Sequence, residues 1–119
     1  DMTFDWIDES IRAMNGTEIE YKAGWDSTVY KLGGKMFGMR GAYKDGRPLL
    51  TLKLPPAQNE LLRESFEHII PGYYSNKVHW SSLFLDTDFD RELVTDLLVD
   101  AYDCMFAALP KKTRAALAK

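Results

Sequence analysis

Three carboxylates at alternate positions, Asp86, Asp88 and Asp90, look like the opening of a calcium-binding loop. Chelation in such a loop needs Gly at the sixth place for a sharp turn and a bidentate Glu at the twelfth. Arg91 and Leu97 stand there instead, so no calcium site is expected. Capping a helix suits these acids better, because Asp88 or Asp90 can accept the free amide hydrogens of a first turn. Gly33, Gly34, Gly38 and Gly41 surround Lys35 in the manner of a phosphate loop. That loop requires Gly, four residues, then Gly-Lys-Ser/Thr, whereas Val29 holds the first Gly place and Met36 follows Lys35. Hairpin turns and close strand packing are the better use of these glycines. Cys104, the one cysteine, lies between Ala101 and Ala108 at helical spacing, which predicts a small buried hydrophobe and not a reactive thiol. His68 and His79 are the only imidazoles. No nucleophile elbow accompanies them, and His68, near a predicted helix end, is expected to interact with the helix dipole. Asn15-Gly16-Thr17 fits a glycosylation sequon but is read as a turn. No catalytic residue, metal or cofactor is therefore expected, and the chain is read as a non-enzyme.

What survives is basic and aromatic. Lys35 starts a predicted strand, Lys53 ends another, and Lys77 and His79 bracket the start of a third, with Tyr73 and Tyr74 nearby as stacking candidates. On one sheet these side chains would converge on an anion-accepting surface. Charge is laid out in blocks. Residues 22–53 hold seven bases (Lys22, Lys31, Lys35, Arg40, Lys44, Arg47, Lys53) against Asp26 and Asp45, while residues 54–110 hold ten acids against three bases. The last nine residues add Lys111, Lys112, Arg114 and Lys119 without an acid. The whole nevertheless carries a net charge of −3, which argues against tight nonspecific binding of polyanions.

The elements that must position these residues follow from periodicity. Phe4, Ile7, Ile11 and Met14 mark one face of a helix over residues 3–14, stopped by Asn15-Gly16. Residues 27–32, 35–43 and 48–54 read as antiparallel strands joined by Gly33-Gly34 and Asp45-Gly46, whose glycines supply the positive φ of hairpin turns. Pro55-Pro56 breaks the last strand, and residues 57–69 form a second helix. Residues 78–85 read as a buried strand paired with Tyr73-Tyr74 across Ser75-Asn76. A long helix over 90–109 is expected to bury Leu93, Leu97, Ala101, Cys104 and Ala108, with Leu98, Tyr102 and Met105 flanking, and Pro110 ends it. Residues 111–119 form a basic tail or a short helix. Phe37, Leu52, Phe66, Trp80, Leu97 and Tyr102 are expected in one core. The order is helix, three strands, helix, two strands, helix, an α+β domain with helices packed on an antiparallel sheet over residues 1–119.

At 119 residues the chain is long enough to bury a core without disulfides, and its single Cys excludes a disulfide scaffold or a Cys-rich zinc site. No apolar run approaches the roughly 20 residues of a membrane span and no basic-then-apolar leader opens the sequence, so a cytoplasmic location and no membrane partner are expected.

An ordered set of short segments resembles the MmcQ/YjbR family of small bacterial proteins: Gly34-Lys35-Met36-Phe37-Gly38, Leu50-Thr51-Leu52-Lys53 with its following Pro, Asn76-Lys77-Val78-His79-Trp80 with Leu83-Phe84-Leu85-Asp86, and Ala101-Tyr102-Asp103 with Leu109-Pro110-Lys111-Lys112. The resemblance implies a two-layer, five-stranded antiparallel sheet in the order α-β-β-β-α-β-β-α, related to frataxin-like and secretion-chaperone-like domains. It also implies DNA binding, because the fold is similar to the double-wing domain of a phage transcription factor, a warrant by fold analogy. Ala101 departs from the Ser that family members often carry before the Tyr, so any role of that hydroxyl is missing here.

The leading expectation is a nucleic-acid-binding domain that contacts phosphates of DNA or RNA, in a salt-dependent way, through Lys35, Lys53, Lys77 and His79, with Tyr73 and Tyr74 stacking. The alternative is a protein-interaction or chaperone-like domain whose sheet or last helix receives a protein partner.

Overall fold

The computed structural model describes residues 4–118, so the expected helix start at Thr3 and the tail's Lys119 lie outside the described residues. Helix α1 (Asp5–Arg12) buries Ile7 and Ile11, one turn apart, and carries Asp5 and Asp8 in its first turn, where carboxylates suit the helix dipole. Four strands follow, β1 (Thr17–Lys22), β2 (Ser27–Leu32), β3 (Lys35–Ala42) and β4 (Pro48–Lys53), then α2 (Pro56–Ser65), β5 (Ile69–Pro71), β6 (Trp80–Phe84), α3 (Arg91–Ala108) and α4 (Lys111–Leu117). The strands form one antiparallel sheet in the order β1-β2-β3-β4-β6-β5. The β2–β3 hairpin turns on Gly33 and Gly34, at φ of 59° and 79°, the backbone such a tight turn demands.

Register assigns the two faces. Ile19, Tyr30, Gly38, Leu52 and Ser81 stand in one row across five strands and face the helices. Gly38 keeps that row close-packed, since a Cβ there would lie 3.0 Å from Leu52 and 3.1 Å from Tyr30. The neighbouring row, Glu20, Val29, Met39, Thr51, Ser82 and Ile70, crosses all six strands on the opposite face. Strand alternation thus divides a helix-covered layer from a face without a helix.

The helix side holds the main core, where Tyr30, Phe37, Leu50 and Leu52 meet Ile7 and Ile11 of α1 and Val94, Leu98 and Ala101 of α3. Its polar groups are matched. Buried Tyr30 donates its hydroxyl to Asp8 at 2.6 Å, and Arg40 donates to both Tyr30 at 3.2 Å and Asp8 at 3.1 Å. Burial first, then the Asp8 carboxylate, pushes the Tyr30 phenol far above its ordinary value, so it stays a neutral donor. In α2, buried Asn59 donates to the Leu54 and Val78 carbonyls at 3.0 Å and accepts from Ser81 at 2.7 Å. At the start of α3, Asp90 accepts from the Glu92 amide at 2.9 Å, as the capping reading expects.

Several expectations are corrected. The sheet has six strands, not five, and the order is α-β-β-β-β-α-β-β-α-α. The added strand is β1, whose Thr17, Ile19 and Tyr21 alternate with Glu18, Glu20 and Lys22. Tyr73 and Tyr74 belong to a loop; the partner of β6 is β5, because the second helix ends at Ser65 and not at residue 69. His68 therefore lies beyond the helix. It packs edge-on against Phe66 at 5.6 Å and its buried Nε2 has no hydrogen-bond partner. The stripe buried by α3 is Val94, Leu97, Leu98, Ala101 and Met105: Leu97 and Ala101 are buried as expected and Leu98 and Met105 join them from the flank, but Leu93 and Cys104 are half-buried and Ala108 is exposed. Trp80 stays out of the helix-side core, because its register with Lys53 places it on the opposite face. The tail folds as α4, with Leu117 against Gly16 and Leu32 and the Asn15 side chain donating to the Leu117 carbonyl.

Candidate functional site

On the face without helices, strand residues Met36, Met39, Leu49 and Thr51 floor a cleft of about 460 Å³. Trp25, from the β1–β2 turn, forms one wall, and Tyr73 and Tyr74, from the loop after β5, form the other. These positions alternate with the core-facing ones, Met36, Met39 and Leu49 make the floor largely apolar, and Gly41 is confined by Ser27, whose Oγ would lie 2.5 Å from a Cβ.

The second wall is tied down from several sides. The Tyr73 amide donates to Ser82 Oγ at 3.0 Å, and that hydroxyl is hydrogen-bonded to Thr51 Oγ1 at 2.7 Å. The Tyr73 ring meets Tyr43 at 4.8 Å and Tyr74 at 4.5 Å, and Tyr43 in turn meets Phe84 at 5.1 Å. Partial desolvation first, then Tyr74, holds the Tyr73 phenol above its ordinary range, so it remains uncharged. From below, Arg63 of α2 donates to the carbonyls of Lys77 and Trp80. Tyr74 itself is 89% exposed at φ +53°, a backbone region a side chain adopts at some energetic cost.

A second, open hollow lies on the other side of this wall, lined by Tyr73, Tyr74, Ser75 and Asn76 with Lys44 and Lys77. Lys77 Nζ donates to the Gly72 carbonyl at 3.0 Å, which leaves donors of its ammonium for a ligand. The Lys44 ammonium stands 5.4 Å from the Tyr43 ring centroid. Other cations of the basic block are in ion pairs: Lys31 and Lys22 share Glu20 at 2.8 and 3.7 Å, while Arg40 pairs with Asp8 at 3.1 Å and Arg47 with Asp86 at 2.9 Å. Among the described residues, Lys35, Lys44 and Lys53 are the bases of that block outside an ion pair.

The structure thus brings Tyr73, Tyr74 and Lys77 together. Lys53 lies on the same face, beside Trp80, and exposed His79 caps the adjoining end of β4 through its carbonyl, which accepts from Leu54 at 3.0 Å. Lys35 does not join them, since it pairs with Leu32 at a helix-side position of the hairpin. Trp25, Met36, Met39 and Lys44 escaped the sequence reading. Only Trp25 carried a signal, a large aromatic beside Gly24 in a polar turn. Ala101 is fully buried in α3, so a Ser there would enter the helix–sheet core and not this cleft. Asp86, Asp88 and Asp90 form no carboxylate cage, and no group of three His, Cys, Asp or Glu side chains among the described residues could hold a metal ion. Among the same residues no helix is long and apolar enough to cross a membrane.

Fold and site define a two-layer α+β domain with helices on one side of an antiparallel sheet and an aromatic cleft on the other. The model of the YjbR family matches residues 12–104, and the chain belongs to that family. It is 28% identical over 113 residues to Escherichia coli K12 YjbR, covering 95% of both chains, and 30% identical over 95 residues to Escherichia coli O157:H7 YbdF, covering 80% of this chain and 77% of that one. The crystal structure of Deinococcus radiodurans protein DR2400, with its DUF419 domain, superposes with a TM-score of 0.87 at 26% identity, over 98% of this chain and 88% of that one. A Pseudomonas syringae protein at 19% identity shares the fold, with a TM-score of 0.72 over 87% of this chain and 98% of its own.

Proposed function

We propose that this is a cytoplasmic, non-enzymatic domain that binds nucleic acid through the sheet face without helices. One observation carries the reading: the Tyr73–Tyr74 wall separates an apolar aromatic cleft from a hollow flanked by Lys44 and Lys77. Stacking surface next to unpaired ammonium groups matches a polymer of flat bases and phosphates. Lys53 and His79 extend the basic side, while Lys35 adds to the field without facing the ligand.

Fluorescence anisotropy with labelled DNA and RNA oligonucleotides, over a series of salt concentrations, tests this. Binding at low ionic strength should weaken linearly on log–log axes. Each of Lys44→Ala, Lys53→Ala and Lys77→Ala should flatten that slope by about 0.7 to 0.9. Absence of salt-sensitive binding to every single- and double-stranded oligonucleotide would defeat the proposal. Binding that survives all three replacements would move the contact to Lys111, Lys112 and Arg114 of α4.

A second reading draws on the same floor. Met36 and Met39 are flexible, polarizable side chains of the kind that adapt to peptide partners. Salt-insensitive capture of an apolar peptide, with no oligonucleotide binding, would favour it.

A further inference from the structure

Building on the nucleic-acid reading, we infer that the cleft takes an unstacked base of a single-stranded segment, held against Trp25 and Tyr74, with the adjoining phosphate between Lys44 and Lys77. The volume of about 460 Å³ is at the small end of ligand sites and suits one planar heterocycle with its sugar. Both walls present aromatic rings and the floor is apolar, so what the cleft recognises is the face of a ring, not a row of base edges. Within a duplex those faces are covered by stacking, and only edges show in the grooves. A single strand can turn a base outward onto an aromatic platform.

Charge fixes which part of the ligand goes where. Among the described residues, cations outside an ion pair adjoin the cleft beyond the Tyr73–Tyr74 wall, at Lys44 and Lys77; on the Trp25 side, Lys22, 5.4 Å from the Trp25 ring centroid, and Lys31 both pair with Glu20. A base with its phosphate at one end is complementary to that asymmetry. Tyr74 has the exposure a platform needs, at 89%, and Trp25, 58% exposed, faces it across the cleft. The left-handed backbone of Tyr74 would be better served by Gly or Asn, so a tyrosine there spends local stability on a ring displayed to solvent.

The experiment compares, at one ionic strength, a labelled single-stranded oligonucleotide, its duplex and a nucleoside monophosphate, on the wild type and on Trp25→Ala, Tyr74→Ala and Tyr74→Gly. The single strand should bind at least about tenfold more tightly than the duplex. Each aromatic replacement should weaken it by about 5- to 150-fold, the range of one base–aromatic stack, without changing the salt slope. Tyr74→Gly keeps the backbone conformation without strain, so its loss of affinity together with an unchanged or raised Tm isolates the ring from the fold. Trp25 fluorescence should be quenched on binding, and that component should vanish in Trp25→Phe. Equal or tighter duplex binding, affinity indifferent to all the aromatic replacements, or a monophosphate that binds as well as the strand would each overturn the inference and leave nucleotide binding standing. No binding of any nucleic acid would instead remove the reading on which it rests.

Discussion

His68 packs its ring against Phe66 while its Nε2 stays buried without a partner, and burial lowers its pKa below the ordinary 6.5. The folded state therefore takes up a proton at His68 less readily than the unfolded chain. Stability from this residue is present above pH 6.5 and is lost as pH falls below that value through the lowered pKa. His68→Phe keeps the aromatic contact and removes the proton. Denaturant midpoints measured at pH 7.5 and pH 5.5 should fall further for the wild type than for the variant, and an equal fall in both would refute the assignment. The sequence shows His68 but not its surroundings, because the second helix ends at Ser65, four residues earlier than its apolar spacing suggests. At the candidate site, Tyr73, Tyr74 and Lys77 were legible as residue types. Their grouping with Trp25 and Lys44 was not, since the two cleft walls come from turns about 50 residues apart that only the sheet brings together.

Among the elements, the two faces of the sheet separate two kinds of aromatic position. Phe37, fully buried in the helix-side core, and Trp80, half-buried on the other face beside Lys53, were both expected in one core. Phe37→Ala should cost about 3–5 kcal/mol, the range for emptying a packed aromatic site. Trp80→Ala should cost less, about 1–2 kcal/mol, because its ring lies outside the helix-side core and is only partly buried. Chemical denaturation of both variants checks the order, and a Trp80 variant as damaged as the Phe37 one would place that ring in a core after all. The type of most elements was readable from period and turn residues. Strand β5 was displaced to Tyr73-Tyr74, and edge strand β1 was missed, although Thr17, Ile19 and Tyr21 alternate strictly with charged residues, the sequence pattern of a one-sided strand. Its acids drew attention to charge blocks instead. The face assignment of Trp80 depends on register, which is set by pairing between strands and cannot be read from one strand alone.

For the whole molecule, exposed acids outnumber exposed bases on helices α1 to α3. Helices α1 to α3 expose Glu9, Glu60, Glu64, Glu92, Asp96 and Asp103, whereas the unpaired Lys44 and Lys53 belong to the sheet side. Millimolar calcium should give no heat in a calorimetric titration, because Asp86 is committed to Arg47 and Asp90 to the Glu92 amide. A saturable signal abolished by Asp88→Ala would contradict this.

Strand order also has a temporal side. Strands β1 to β4 pair with their immediate neighbours in the chain, so this meander closes only short loops, and short closures cost little entropy. Strand β6 must return across α2 to pair with β4, and β5 completes the sheet from outside, with three residues and Pro71 at its end. The loop bearing Tyr73 and Tyr74 is strung between these two latecomers. Native-state hydrogen exchange should accordingly find the slowest amides in β3 and β4 and the fastest strand amides in β5, with protection of the Tyr73 amide following that of β5. The Tyr73–Tyr74 wall would then be the last part of the sheet to form and the first to open, while the rest of the sheet stays closed.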